Sequence, residues 1–222
     1  MRALSFPHAD AVERLLEQLE AFASASRSFD DLELLAPSLC VGWGRLDLLV
    51  HVRHGVAEMA LGCARLTHEA PDHDAASYWS SWAETEDDPV PGILWLRRTA
   101  SAYRRPSGAV AHLTDVFAAA AAAVRSMDEG VVEFQGKRML TGDFLGTWVV
   151  ELVVHQLDLD RGDAGGDSPT ARGLEWTRAT LEALVDADLP AELDDLTAVL
   201  VGLGRMPCPD GVELDARFPV SV

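Results

Sequence analysis

The sequence predicts an all-α protein: a four-helix bundle with one long crossover, followed by a short helical and strand-like C-terminal extension. Three observations carry this. Apolar residues recur at helical spacing in four long stretches, the pattern of helices that bury one face. Residues 68–91 are too polar and too many for an idle connection in a compact domain. Residues 147–158 are apolar on nearly every side, as in a helix enclosed by others. The bundle is assigned to residues 1–165 and the extension, packed on it, to 166–222.

The first helix is expected over residues 10–23, where Val12, Leu15, Leu16, Leu19 and Phe22 oppose Glu13, Glu17 and Glu20. A connection follows over 24–37. The second helix, from Leu46 to about Leu66, comes after Cys40-Val41-Gly42-Trp43-Gly44, whose glycines mark an irregular segment. Asp47 in its first turn suits the helix dipole. Leu46, Leu49, Val50, Val56, Met59, Ala60 and Cys63 form its buried face, with His51 beside that face and His54 one turn on.

Residues 68–91 read as a lid or a disordered crossover, partly ordered by Tyr78, Trp79 and Trp82. His68, His73 and Asp74 fit no closed metal site there, so a solvated acidic loop is expected. Helical pattern resumes at Gly92 and continues past Arg104-Arg105-Pro106 to Val124, which predicts a kink or two successive helices. The alanines from Ala118 to Ala123 favour helix. Residues 131–140 suggest a hairpin, and Thr141 is expected to cap the helix after it, with Asp143 near its start. The Gly- and Asp-rich run 161–168 closes the bundle. Beyond it, 174–185 and 193–203 predict two more helices, and Val212, Leu214, Phe218 and Val220 a strand-like tail that packs on the bundle and could cover one rim of the site.

Composition narrows the function. Of 222 residues, 36 are Asp or Glu against 18 Lys or Arg, a net charge of −18 that argues against nucleic acid and anionic membrane as partners. An anionic substrate would therefore need a local positive site. Cys40, Cys63 and Cys208 are an odd count without framework spacing, which suggests a reducing, cytoplasmic setting. No N-terminal apolar core resembles a signal peptide, and the run 117–124 is too short to span a membrane.

The chemistry concentrates in the enclosed helix. Glu151 and His155, four residues apart, share one helix face, with Asp158 close to the same line. A buried carboxylate needs a partner. A divalent cation is one such partner, because carboxylate oxygen and imidazole nitrogen both suit zinc; a Glu–His hydrogen bond tying the helix to a neighbour is the other.

Two separated pieces, Gly42-Trp43 with Leu48-Leu49-Val50-His51-Val52 and Glu151-Leu152-Val153-Val154-His155-Gln156-Leu157-Asp158, together resemble the mycothiol-dependent maleylpyruvate isomerase family of the DinB-like superfamily, over residues 10–163. The resemblance implies an up-down-down-up bundle in which His51, Glu151 and His155 hold one divalent metal, usually Zn2+. It also implies mycothiol as a thiol cofactor or co-substrate acting on a small electrophilic substrate. Asp158 matches the family's trailing Asp and is expected to orient a histidine by hydrogen bonding, and Asp47 to do the same for His51. Trp43 and His54 are possible pocket residues. The fifty or so residues after the bundle are fewer than the sterol-carrier-like domain of some members, so S-transfer stands beside isomerisation.

Two other readings compete: a hydrolase in which the metal activates water, and a bundle that binds metal or ligand without turnover. A basic pocket for the thiol would favour the first reading, and Arg53, Arg97, Arg98, Arg104 and Arg105 are its candidates. No protein cysteine is required: Cys63 reads as packing, and nothing near Cys40 or Cys208 in sequence argues for an activated thiol.

Overall fold

The computed structural model describes residues 1–81, 88–159 and 168–220. Four long helices share one core: α1 (His8–Arg27), α2 (Arg45–Gly62), α5 (Pro106–Arg125) and α6 (Thr141–Leu159). Helix α1 packs against α6 and α5, while α2 packs against α5 and α6. The crossover carries a two-residue strand β1 (Leu66–Thr67), a one-turn helix α3 (Ser77–Ser80) and helix α4 (Val90–Ala100). Trp82 of the expected lid, and most of the Gly- and Asp-rich run 161–168, lie outside the described residues.

The expectation at Pro106 resolves as two helices. Helix α4 ends at Ala100 and α5 begins on the proline, whose missing donor costs nothing in a first turn. Arg105 before it is extended, at φ −141° and ψ 144°, as the proline ring requires. By length and composition alone α5 could cross a membrane, contrary to the reading of its Ala-rich run as too short. Here Leu113, Phe117, Ala120 and Val124 face the core.

The hairpin forms from β2 (Val131–Phe134) and β3 (Lys137–Leu140), antiparallel with Phe134 opposite Lys137. Gln135 and Gly136 have φ of 50° and 75°, the pair of positive values that a two-residue turn needs to match strand twist. Strand β1 adds to β2 as a third, antiparallel member. Two residues are too few to show a period, which is why this strand reads as loop in the sequence. Thr141 begins α6, but its hydroxyl accepts from the Gly130 N–H at 3.2 Å, so it joins the helix to the hairpin.

In the extension, α7 (Ala171–Val185) packs on α6 and α1, and α8 (Asp195–Gly202) packs on α7. Thr170 and Asp194 cap them, accepting from Gly173 and Thr197 N–H groups. The strand-like tail is corrected: among the described residues, 203–220 contain no strand. Pro207, Pro209 and Pro219 cannot donate to a ladder. The tail docks instead through buried Phe218 and a Val220 N–H bond to Gly202 O at 2.9 Å.

Every residue of α6 is buried except two, Glu151 and His155. The most enclosed of the described helices is therefore partly open only at its two expected ligands.

Candidate metal centre

Helices α2 and α6 are held in register by a buried cation. Arg45, at the start of α2, donates from Nε to Leu159 O at 2.7 Å, on the carbonyl end of α6, while its guanidinium lies 4.6 Å over the Phe29 ring. Six residues further along α2, His51 faces α6. Its Nε2 stands 3.1 Å from Glu151 Oε1, and His155 Nε2 stands 3.1 Å from the same oxygen. The two imidazole rings meet edge to face with centroids 4.8 Å apart.

The ligand atoms of His51, Glu151 and His155 all lie within 4.8 Å of one another. Two neutral nitrogens and one carboxylate oxygen are a donor set suited to zinc, and three protein ligands leave room for an exogenous one. The side chains are partly reachable, at 34%, 18% and 12% exposure. The residues present thus fit a catalytic rather than a closed structural ion.

Electrostatics bind the triad together. Burial would push the Glu151 carboxyl up, but the His155 charge and hydrogen bonds from both imidazoles outweigh it and hold the group below the usual carboxylate range. Burial would push His155 down, yet Glu151 and its other partners hold it well above the usual imidazole range.

Asp158 sits where the sequence pointed, 3.6 Å from His155 Nδ1 through Oδ2. It has two partners that the sequence did not suggest. Cys40 Sγ donates to Oδ2 at 3.1 Å, and Arg205 reaches Oδ1 from Nε at 2.6 Å and Oδ2 from Nη2 at 3.1 Å. Burial pushes the Cys40 thiol up, so it stays a protonated donor. No spacing signal could have found either contact, because both residues lie in loops far along the chain.

Asp47 belongs elsewhere. Its Oδ2 accepts from the Gly44 N–H at 2.9 Å and lies 3.9 Å from Arg97 Nε, so its bond caps α2 and does not orient the His51 ring. Trp43 is beside the centre, its ring 4.9 Å from His51 and 6.4 Å from His155. His54 is exposed, its ring tilted against Trp95 of α4 with centroids 5.1 Å apart.

A cleft of about 590 Å³ opens next to Trp43, with Pro37, Cys40, Val41, Asp47 and Arg97 on its walls. Of the five candidate arginines, Arg97 lines this cleft and donates to Gly42 O at 2.6 Å. Arg105 pairs with Asp31 and Arg53 faces His112. His73 pairs with Asp72 on the surface, consistent with a solvated loop. Cys63 is buried, its thiol pushed up to about 11 by burial.

One turn below the ligands a single indole lies between the two helices. A Cβ on Gly55 would lie 3.1 Å from the Trp148 ring, so glycine lets that indole fill the gap between α2 and α6. Gly55 and Trp148 lie four residues beyond His51 and three before Glu151, so this contact sets the spacing of the two ligand-bearing helices.

Fold and site together define a helical bundle with a two-histidine, one-carboxylate centre between two facing helices. The profile of the mycothiol maleylpyruvate isomerase N-terminal domain matches residues 10–160, and the chain belongs to that family. Crystal structures of the mycothiol-dependent maleylpyruvate isomerase and of a histidine-to-alanine mutant of it share the fold, each with TM-score 0.55 at 16% identity. Each alignment covers 81% of this chain and 69% of the other. No curated protein matches the sequence.

Proposed function

We propose that this protein is a metal-dependent enzyme that uses a low-molecular-weight thiol, mycothiol, on a small electrophilic substrate, by thiol-assisted isomerisation or by S-transfer. One observation carries the reading: the only two positions at which α6 is not buried bear Glu151 and His155, and His51 of α2 meets them. Membership of the family supports the thiol.

His51, Glu151 and His155 would hold the metal, and the donor set favours zinc. A divalent ion so held supplies positive charge that lowers the pKa of a thiol toward neutrality. The chain's residues do the rest. Glu151 Oε1 stands 3.1 Å from Nε2 of both imidazoles and keeps the two rings turned toward one point. Asp158 faces Nδ1 of His155, where it favours a proton on that nitrogen and leaves Nε2 free to ligate. Trp43 flanks both rings with an apolar wall that limits water on one side. Against a net charge of −18, the centre and Arg97 are the local attraction for an anionic thiol or substrate.

The test mixes purified protein with mycothiol and a generic electrophile, with and without chelator, and runs maleylpyruvate in parallel. Thiol-dependent turnover that chelation abolishes and zinc restores is expected. Turnover without mycothiol would point to water as the nucleophile, and no turnover with any partner would leave a binding bundle.

A further inference from the structure

We propose that Arg205 is a positioning residue of the metal centre: acting through Asp158, it fixes the ring of His155 and so sets the affinity for the metal. This rests on the reading of His51, Glu151 and His155 as ligands. It goes beyond that reading because Arg205 lies in the C-terminal extension, outside the residues 10–160 that the family profile matches.

Asp158 is fully buried, and a carboxylate there is costly unless paired and hydrogen-bonded. Arg205 supplies both, with a two-point grip on Oδ1 and Oδ2 that a planar guanidinium provides and a point charge does not. The Cys40 thiol and the Leu39 N–H, which donates to Asp158 O at 3.0 Å, hold the same residue from the other side. The orientation of this carboxylate is therefore set by groups outside α6.

His155 completes the argument. When Nε2 of an imidazole ligates, Nδ1 must carry the proton and needs an acceptor. Among the described residues, buried His155 Nδ1 has no hydrogen-bond partner, while Asp158 Oδ2 stands 3.6 Å away. A small closure of that gap gives the carboxylate–imidazole–metal arrangement that fixes ring orientation. Arg205 decides where the carboxylate can be.

The arginine is itself built in. Its backbone N–H donates to Leu200 O at 2.8 Å, closing the end of α8. Gly204 before it adopts φ +68°, against which the Pro219 ring packs. The turn between α8 and the tail thus aims one side chain at the centre.

Zinc affinity measured by competition with a chelating indicator tests this on wild type, Arg205→Ala, Arg205→Lys, Asp158→Asn and the double variant Arg205→Ala/Asp158→Asn, with the thermal midpoint of each metal-free protein recorded alongside. Arg205→Ala is expected to weaken zinc about 10- to 100-fold, the usual range for losing an outer partner, with Arg205→Lys in between. In the Asp158→Asn background, Arg205→Ala is expected to change affinity by less than about twofold, because its route to the metal is already cut. Equal affinity of wild type and both Arg205 variants would overturn the proposal, and so would the same loss in both backgrounds. Should Arg205→Ala not fold, Arg205→Lys and Asp158→Asn still decide it. A wild type without zinc affinity would sink the ligand assignment itself, an outcome distinct from wild-type binding that Arg205 does not affect.

Discussion

Nε2 of His51 lies 3.1 Å from Oε1 of Glu151, although 100 residues separate them in the chain. The same oxygen receives His155, so one carboxylate oxygen is the meeting point of two helices and three side chains. Without an ion, this oxygen holds the two imidazoles by hydrogen bonds. On the proposed function the same three atoms would be the ligands of an ion, and the helices already hold them within 4.8 Å of one another.

Removing a ligand should therefore empty the site without unfolding the bundle. Zinc content of purified His155→Ala and Glu151→Gln is expected to fall from near one per chain to near zero, measured by elemental analysis. Helical circular dichroism should be retained, since both positions are partly open and neither fills the core. Wild-type zinc content in His155→Ala would remove this centre from consideration.

Gly55→Ala should harm both stability and metal binding. The added methyl meets the Trp148 ring at 3.1 Å, and overpacking of this kind costs about 1–3 kcal/mol. Relief by spreading α2 from α6 would pull His51 from Glu151. Thermal denaturation should show the loss, and Gly55→Ala/Trp148→Phe should recover part of it along with zinc affinity. A Gly55→Ala protein as stable as wild type would contradict the close contact.

Acid sensitivity should pass through Asp158. Burial would raise this group, but the His155 and Arg205 charges beside it, with the hydrogen bonds from Arg205, prevail and hold it at about 2, below its ordinary 3.8. A carboxylate with a lowered folded pKa stabilises the fold at pH values above the unfolded pKa, and that stabilisation is lost as pH falls toward the folded one. The shift is worth roughly 2 kcal/mol. In metal-free protein the stability gap between wild type and Asp158→Asn is expected to be full at pH 6 and to shrink between about pH 5 and pH 2. A gap constant across that range, read by urea denaturation, would show that the Asp158 charge contributes nothing.

Cys40→Ser is expected to keep activity within about twofold, because a serine hydroxyl can donate to Asp158 as the thiol does. Complete loss of turnover would mean that the protein thiol takes part in the chemistry.

The periodicity of the chain was enough to find the long helices, the break at Pro106, the hairpin and the pair Glu151 and His155, because each depends on residues close in sequence. The spacing of Glu151 and His155 on an otherwise apolar helix already pointed to a buried polar function, and only the family resemblance added His51 from a helix a hundred residues away. Asp47 shows the limit: its position one turn before His51 suggested a partner for that ring, but in the fold the nearer Gly44 N–H claims it. Strand β1 was invisible because two residues carry no pattern until another strand pairs with them.

What the chain by itself determined, then, was which segments coil into helices and which of them carry chemistry, since helix propensity and apolar spacing are local quantities. The convergence of Cys40 and Arg205 on Asp158, and the contact of Gly55 with Trp148 that spaces the ligand-bearing helices, were decided only by tertiary packing. Such contacts join residues whose separation in sequence holds no record of their distance in space. They exist because a buried carboxylate must find partners and a closed core admits no gaps, wherever along the chain the matching groups lie.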